Sequence, residues 1–329
     1  MRIFAGMDGG GTRTRLVLVA ETGEILGSAA GGSCNFTDLG IERAQAGMAR
    51  LWNEAWEAAG MKPRPATAIF MGLGSILSPQ DEQVNREIAV KIGLAGANAV
   101  FAGNDVLNAH AAGLSGQPGI LLIAGTGSAC FGRNQLHESW RTGGWGHLLG
   151  EQGSAYALGQ AALIAATRAA DERGPATALQ KLVGDTLALG DMKEIFSRVH
   201  HAGIARAELA AMAPRVVALA EAGDAVAREI IDEEAGGLVE MVITVARKLK
   251  IESPDLALTG GLITQALFFR RTFLECLKRQ LPDFQLVEGG LAPVFGAVLL
   301  AVEHGTGHPP AAEFLQKLLQ SSVNHAHLQ

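Results

Sequence analysis

Two short glycine-rich turns, each set between a pair of strand-like apolar runs, constrain this chain more than any other feature. The first reads Met7-Asp8-Gly9-Gly10-Gly11-Thr12-Arg13-Thr14. Residues 3–7 lead into it and residues 15–20 lead away, with Leu16, Leu18 and Ala20 on one face and Val17 and Val19 on the other. The second reads Gly125-Thr126-Gly127-Ser128, after the run 119–124 and before 129–132. Three consecutive glycines free the backbone to take positive φ and aim successive N–H groups at one point, a nest that suits phosphate. A plain hairpin turn needs only one or two glycines, so the first turn is predicted to hold an anion. Asp8 at the strand end is suited to a hydrated Mg2+, and Thr12 and Thr14 offer hydroxyl donors. Neither turn is a P-loop, because no lysine closes it and a strand replaces the following helix. Thr14 and Cys130 stand where a dinucleotide fingerprint needs its last glycine. A strand–turn–strand unit used twice implies two similar domains that grip one nucleotide from opposite sides.

At 329 residues the chain is long enough for two cores. A net charge of −6 gives no field for nucleic acid or an anionic membrane. Cys34, Cys130 and Cys276 are odd in number and far apart, the pattern of reduced thiols in a cytoplasmic protein. Met1-Arg2 runs straight into a strand with no signal peptide, and the longest apolar run, 293–302, is too short to span a bilayer.

Domain one, residues 1–117, reads β-β-β-α-β-α-β-α. Its helix 41–59 carries Ile41, Ala44, Met48, Leu51 and Ala55 on one face with Gly60 as C-cap, and Trp52 and Trp56 continue that stripe. Strand 67–72 ends in Leu73-Gly74-Ser75, and Ser78-Pro79 opens a helix through residue 94. Strand 98–102 ends in Gly103-Asn104-Asp105. Domain two, residues 118–305, repeats the hairpin and inserts residues 142–154, where Ser154 caps a helix through residue 170. A long helix with Ile231, Ala235, Leu238, Val242, Val245 and Leu249 on one face precedes strand 255–258 and Thr259-Gly260-Gly261-Leu262. The final helix, from about residue 293, is free to pack back on domain one. Residues 306–329 read as a tail, with His308, His325 and His327 as solvated ends.

The pieces Asp8-Gly9-Gly10-Gly11-Thr12, Gly103-Asn104-Asp105, Gly125-Thr126-Gly127-Ser128 and Thr259-Gly260-Gly261 resemble the N-acetylglucosamine kinases. So does the run from Gly143-Gly144-Trp145-Gly146-His147 to Gly150-Glu151-Gln152-Gly153-Ser154-Ala155-Tyr156. Those kinases lie within the actin-like ATPase fold, in the BadF/BadG/BcrA/BcrD ATPase family that also holds activator ATPases of acyl-CoA dehydratases and reductases. The resemblance implies an α/β chain of two actin-like (ribonuclease H-like) domains, each a mixed sheet with crossover helices. ATP, Mg2+ and an amino sugar would meet in the interdomain cleft. It implies phosphate contacts from both turns, an adenosine loop at Gly260 and Gly261, and a sugar pocket of Asn35, Gly74, Ser75, Gly144, Trp145, Glu151 and Ala155. It implies a homodimer. His147 is assigned no chemistry.

A kinase of this kind holds a hydroxyl in line with the γ-phosphate and supplies a base. Asp105 matches the family's catalytic aspartate, although a strand-end aspartate equally reads as an N-cap for the helix 106–114. Glu151 replaces an aspartate of the animal kinases, Gly74 a serine, and Phe36-Thr37 a His-Trp pair, which bears on the sugar contacts alone. The rival readings are a kinase of glucosamine or another hexosamine and an activator ATPase. The activators hold an iron–sulfur cluster on closely placed cysteines, which this chain lacks. A sugar sensor would carry a DNA-binding segment, and a zinc-bearing glucokinase a cysteine cluster.

Overall fold

The alternating residues of the opening segment pair as expected. The computed structural model describes residues 1–323 and 325. β1 (Ile3–Gly9) and β2 (Arg13–Ala20) run antiparallel from Ile3↔Ala20 to Gly9↔Thr14, and β3 (Ile25–Gly32) pairs with β2. The helices α1 (Phe36–Leu39) and α2 (Ile41–Ala58) follow. β4 (Ala68–Leu73) lies parallel to β1, then come α3 (Pro79–Lys91), β5 (Val100–Gly103) parallel to β4, and α4 (Asp105–Gly113). The sheet order is β3-β2-β1-β4-β5. Met7, Leu16 and Leu18 form a core with Met48, Leu51, Trp52 and Trp56 of α2, the two tryptophans edge to face at 5.7 Å. Ile41, expected on that face, is 52% exposed; it opens the helix, and Ala44 is the first side chain of the stripe to be buried. Ser78 caps α3 by accepting from the Asp81 N–H.

The second sheet repeats the first. β6 (Gly119–Ala124), β7 (Ser128–Arg133) and β8 (Ser139–Gly143) run antiparallel. A helical stretch follows: α5 (Ala155–Ala170), α6 (Leu179–Leu187), α7 (Ile195–His200), α8 (Arg206–Ala210), α9 (Ala213–Glu221) and α10 (Ala225–Leu249). Then come β9 (Asp255–Thr259), α11 (Gly261–Gln265), α12 (Leu267–Gln280) and β10 (Gln285–Val287). The order β10-β9-β6-β7-β8 matches that of the first sheet strand for strand. β8 is an edge strand whose Ser139, Trp140 and Arg141 are exposed, so it carries no apolar alternation to read. The stripe on α10 is buried throughout, from Ile231 to Leu249.

The chain then returns. α13 (Pro293–Thr306) buries every residue from Val294 to Val302 and packs on α4, β1 and β4. Gly296 makes the approach possible, since a Cβ there would stand 2.0 Å from the Asn108 carbonyl oxygen. Residues 306–329, expected as a tail, contain α14 (Ala312–Val323), whose Phe314 and Leu318 are spaced i, i+4 and buried in the same core. One unit is therefore Met1–Gln117 with the described residues from Glu288 onward, and the other is Pro118–Val287. His308 is exposed, His325 has its Nδ1 3.0 Å from the Ser321 carbonyl, and His327 lies outside the described residues. Among the described residues no helix is long and apolar enough to cross a membrane.

Candidate active site

In the first unit the carboxyl ends of β1, β4 and β5 bring Asp8, Gly74 and Asp105 together. Asn104, not Asp105, caps α4: its side chain accepts from the Val106 N–H at 3.2 Å and donates to the Ile76 carbonyl at 3.1 Å. Asp105 is the first helical residue. Its Oδ2 stands 3.0 Å from where a Cβ on Gly74 would be, so a side chain at 74 would press on the carboxylate. The Gly74 N–H donates to the Gly9 carbonyl at 2.8 Å, joining the ends of β4 and β1. Burial raises the pKa of Asp8, opposed by the Asn108 amide; the negative charge of Asp105 raises it further, and Arg15, 4.0 Å away, lowers it. Ser75 is buried beside them in sequence, and its Oγ has no hydrogen-bond partner.

Asn108 was not singled out in the sequence, where it reads as one more polar residue of a helix. It is fully buried, and its Nδ2 faces the Asp8 carboxylate at 3.0 Å and the carbonyls of Met7 and Gly72 at 3.1 and 3.2 Å. Gly72 is the signal that could have found it, because a Cβ there would fall 2.2 Å from the Asn108 amide. The three-glycine turn also departs from expectation. None of Gly9, Gly10 and Gly11 adopts left-handed φ. A Cβ on Gly9 would meet Leu73 at 2.7 Å, whereas Gly10 and Gly11 face open space. The glycines there provide room rather than handedness. Thr12 is exposed, but Thr14 is fully buried and its hydroxyl accepts from the Cys34 N–H at 3.0 Å, anchoring the loop before α1. Asn35 caps α1: its Oδ1 accepts from the Thr37 N–H and hydroxyl, and its Nδ2 donates to Asp38.

In the second unit the turn 125–128 is stitched to the inserted segment. The Ser128 N–H donates to Glu151 Oε2 at 2.6 Å and its hydroxyl to the Gln152 carbonyl at 2.7 Å. The Ala155 N–H donates to the Gly125 carbonyl at 2.8 Å and the Gly144 N–H to the Ser128 carbonyl at 2.9 Å. Left-handed φ gathers in the insert, at Gly143, Gly144, Gly146, Gly150 and Gly153. Glu151 is 7% exposed and its Oε1 accepts from Arg206 Nη2 at 2.8 Å. Trp145 is 70% exposed, with the Arg141 guanidinium 5.8 Å from its ring. His147 meets the Tyr156 ring edge to face.

Beside this turn opens a cavity of about 830 Å³ lined by Gly125, Thr126, Gly261 and Leu262 and by Ala210, Pro214, Val217 and Phe268. Gly260 holds left-handed φ and packs on the backbone of Ala124, where a Cβ would fall 2.5 Å away. The small residues of α8 and α9 were not assigned to any site, since an alanine stripe on a helix reads as packing. The size and apolar walls suit a nucleoside, with the turn at one end for its phosphates.

With that geometry in place, similarity to known proteins is informative. Residues 5–301 match the BadF/BadG/BcrA/BcrD ATPase family. An N-acetylmuramic acid/N-acetylglucosamine kinase of Clostridium acetobutylicum is 29% identical over 303 residues, 92% of this chain and 98% of the relative. An N-acetyl-D-glucosamine kinase of Dictyostelium discoideum is 26% identical, covering 91% of this chain and 98% of its own. Among solved structures, a Chromobacterium violaceum protein for which N-acetylglucosamine kinase activity has been proposed superposes with a TM-score of 0.67 at 27% identity, covering 92% of this chain and 99% of that one.

Proposed function

We propose, from the premise that this chain belongs to the BadF/BadG/BcrA/BcrD ATPase family, that it transfers the γ-phosphoryl group of ATP to an amino sugar, making N-acetylglucosamine 6-phosphate. The observation that carries this reading is the Asp105 carboxylate. Asn104 is the capping residue of α4, and the Asp105 carboxylate lies against Gly74, close enough to Asp8 for the two charges to interact. Asp105 accepts the proton of the attacking hydroxyl as its oxygen bonds the γ-phosphorus, while the bond from that phosphorus to the bridging oxygen breaks and ADP leaves. Asp8 by itself is too little for an all-protein cage and fits an Mg2+ that keeps its waters and is held through one of them. Bound there, Mg2+ would neutralise charge on the phosphates. The chain's own turns do the rest: residues 11–12 and 126–127 offer backbone N–H groups, and the cavity beside Gly261 holds the adenosine. Asn35, Ser75, Gly144, Trp145, Glu151 and Ala155 are proposed for the sugar.

The same reading carries a cytoplasmic homodimer with no nucleic acid or membrane partner, which light scattering would check for assembly. An activator ATPase would need accessible thiolates for its cluster. Cys34 and Cys130 are instead buried in separate cores, and burial pushes both thiols up. The deciding experiment is ADP release with a panel of N-acetylglucosamine, glucosamine, N-acetylmuramic acid and glucose. The highest kcat/KM on N-acetylglucosamine is expected. ADP release independent of every sugar would overturn the kinase reading.

A further inference from the structure

We propose that Arg206 is a phosphate-binding residue for the nucleotide, supplying a positive charge at the second glycine turn, which has none of its own; this rests on the ATP-dependent reading above. A P-loop closes on a lysine, yet residues 9–12 and 125–128 have none. The structure brings Arg206 to the second turn from far along the sequence. It is the first residue of α8, whose Ala207 and Ala210 form one wall of the cavity that ends at Gly125 and Thr126. Its Nη2 stands 2.5 Å from where a Cβ on Gly127 would be, so the guanidinium lies on the face of the turn and would have to shift for any side chain at 127.

The group is held firmly but not used up. Glu151 accepts from Nη2 at 2.8 Å and is itself fixed by the Ser128 N–H, while the Tyr156 ring lies 6.0 Å from the guanidinium carbon. A guanidinium has five N–H donors in a rigid fork matched to phosphate oxygens. The Nε of Arg206 is buried without a partner, and the side chain is 38% exposed. A polyphosphate resting on the N–H groups of 126 and 127 would meet this fork directly. The competing account is that Arg206 only positions Glu151 and never meets the nucleotide.

Binding of ATP, ADP and adenosine to the full chain, measured by calorimetry, separates the two. In Arg206→Gln the affinity for ATP and ADP is expected to fall about tenfold or more, as for a lost charge-assisted contact to phosphate. Adenosine affinity should stay within about twofold, because the cavity walls are unchanged. Arg206→Lys, which keeps the charge without the fork, should lie between. A parallel loss for adenosine and ATP would reduce Arg206 to a structural part, and parental ATP affinity in Arg206→Gln would remove it from the site. If the parent phosphorylates an amino sugar while Arg206→Gln keeps the parental KM for ATP, this inference fails and the kinase reading stands. A parent that binds no nucleotide ends both.

Discussion

The turn after β1 and the turn after β6 occupy equivalent places in two sheets of the same strand order, yet they are supported in opposite ways. The first is nearly bare. It closes on itself through the Gly10 N–H and the Arg13 carbonyl at 3.0 Å, takes hydrogen bonds from the Ser33 hydroxyl on Gly10 and the Gly74 N–H on Gly9, and leaves Gly10 and Gly11 facing open space. The second is built into its surroundings, with both donors of Ser128 spent on residues 151 and 152 and its carbonyls receiving Gly144 and Ala155. A loop ordered in advance binds without the entropy loss of ordering. The inserted segment 142–154 and Ala155 thus hold the second turn in place, while the first turn stays open in front of Asp8, Asp105 and Asn108.

The largest expected effect is on that open side. Asp105→Asn keeps the shape and removes the base, so kcat should fall roughly 10² to 10⁴-fold, about 3–5 kcal/mol. Because Asn104 is the cap, the melting temperature should not move. Near-parental turnover would take Asp105 out of the mechanism. Next in size is Asn108→Ala, which strips the shared donor from Asp8 and two buried carbonyls. A loss of about 1–3 kcal/mol on thermal unfolding is expected; an unchanged midpoint would mean water replaces the amide.

Much of this was legible in the chain. Each strand with an apolar run and a glycine turn was readable, and Ser78, Ser154 and the α10 stripe act as their spacing indicates. The edge strand β8 was hidden because its side chains face solvent, and α14 because a tail after Gly307 offers only a short amphipathic repeat. At the candidate site, residues local to a turn could be named from the sequence and residues that arrive from elsewhere could not. Arg206 and Asn108 have ordinary neighbours in sequence, and only the fold brings them to Gly127 and Asp8. The helix-capping reading of Asp105 failed by one residue, since Asn104 is equally competent to cap.

A matched pair of substitutions tests the contrast between the turns. Gly127→Ala puts a Cβ 2.5 Å from Arg206 and 2.7 Å from Glu151, so the ion pair must shift. Stability should drop by about 1 kcal/mol, the low end for overpacking, because both contacts are the ends of flexible side chains. Gly10→Ala meets nothing within 4 Å and should leave unfolding unchanged while raising KM for ATP roughly tenfold, or ~1.4 kcal/mol. Equal melting curves for both variants would mean the second turn is no more tightly built than the first. An unchanged KM in Gly10→Ala would make the first turn a plain hairpin.

The smallest effect lies behind the pre-organised turn, at Glu234 of α10, whose carboxylate accepts from the Gly153 N–H. Burial holds its pKa above the ordinary carboxylate value; the Gly153 hydrogen bond opposes this and the charge of Glu233 adds to it. A carboxyl whose folded pKa is raised is protonated in both states at low pH and contributes nothing there. As pH rises past the ordinary value near 4.5, the unfolded chain ionises first while the folded protein resists, and stability is lost until the raised pKa is passed. Glu234→Gln keeps an oxygen for the Gly153 N–H and has no charge to bury. Relative to the parent, its melting temperature should therefore climb as pH rises past about 4.5 and run parallel once the raised pKa is passed. Parallel curves across the whole range would show that Glu234 ionises as freely folded as unfolded, and that the loop it backs is more open to water than the second turn's hydrogen bonds imply.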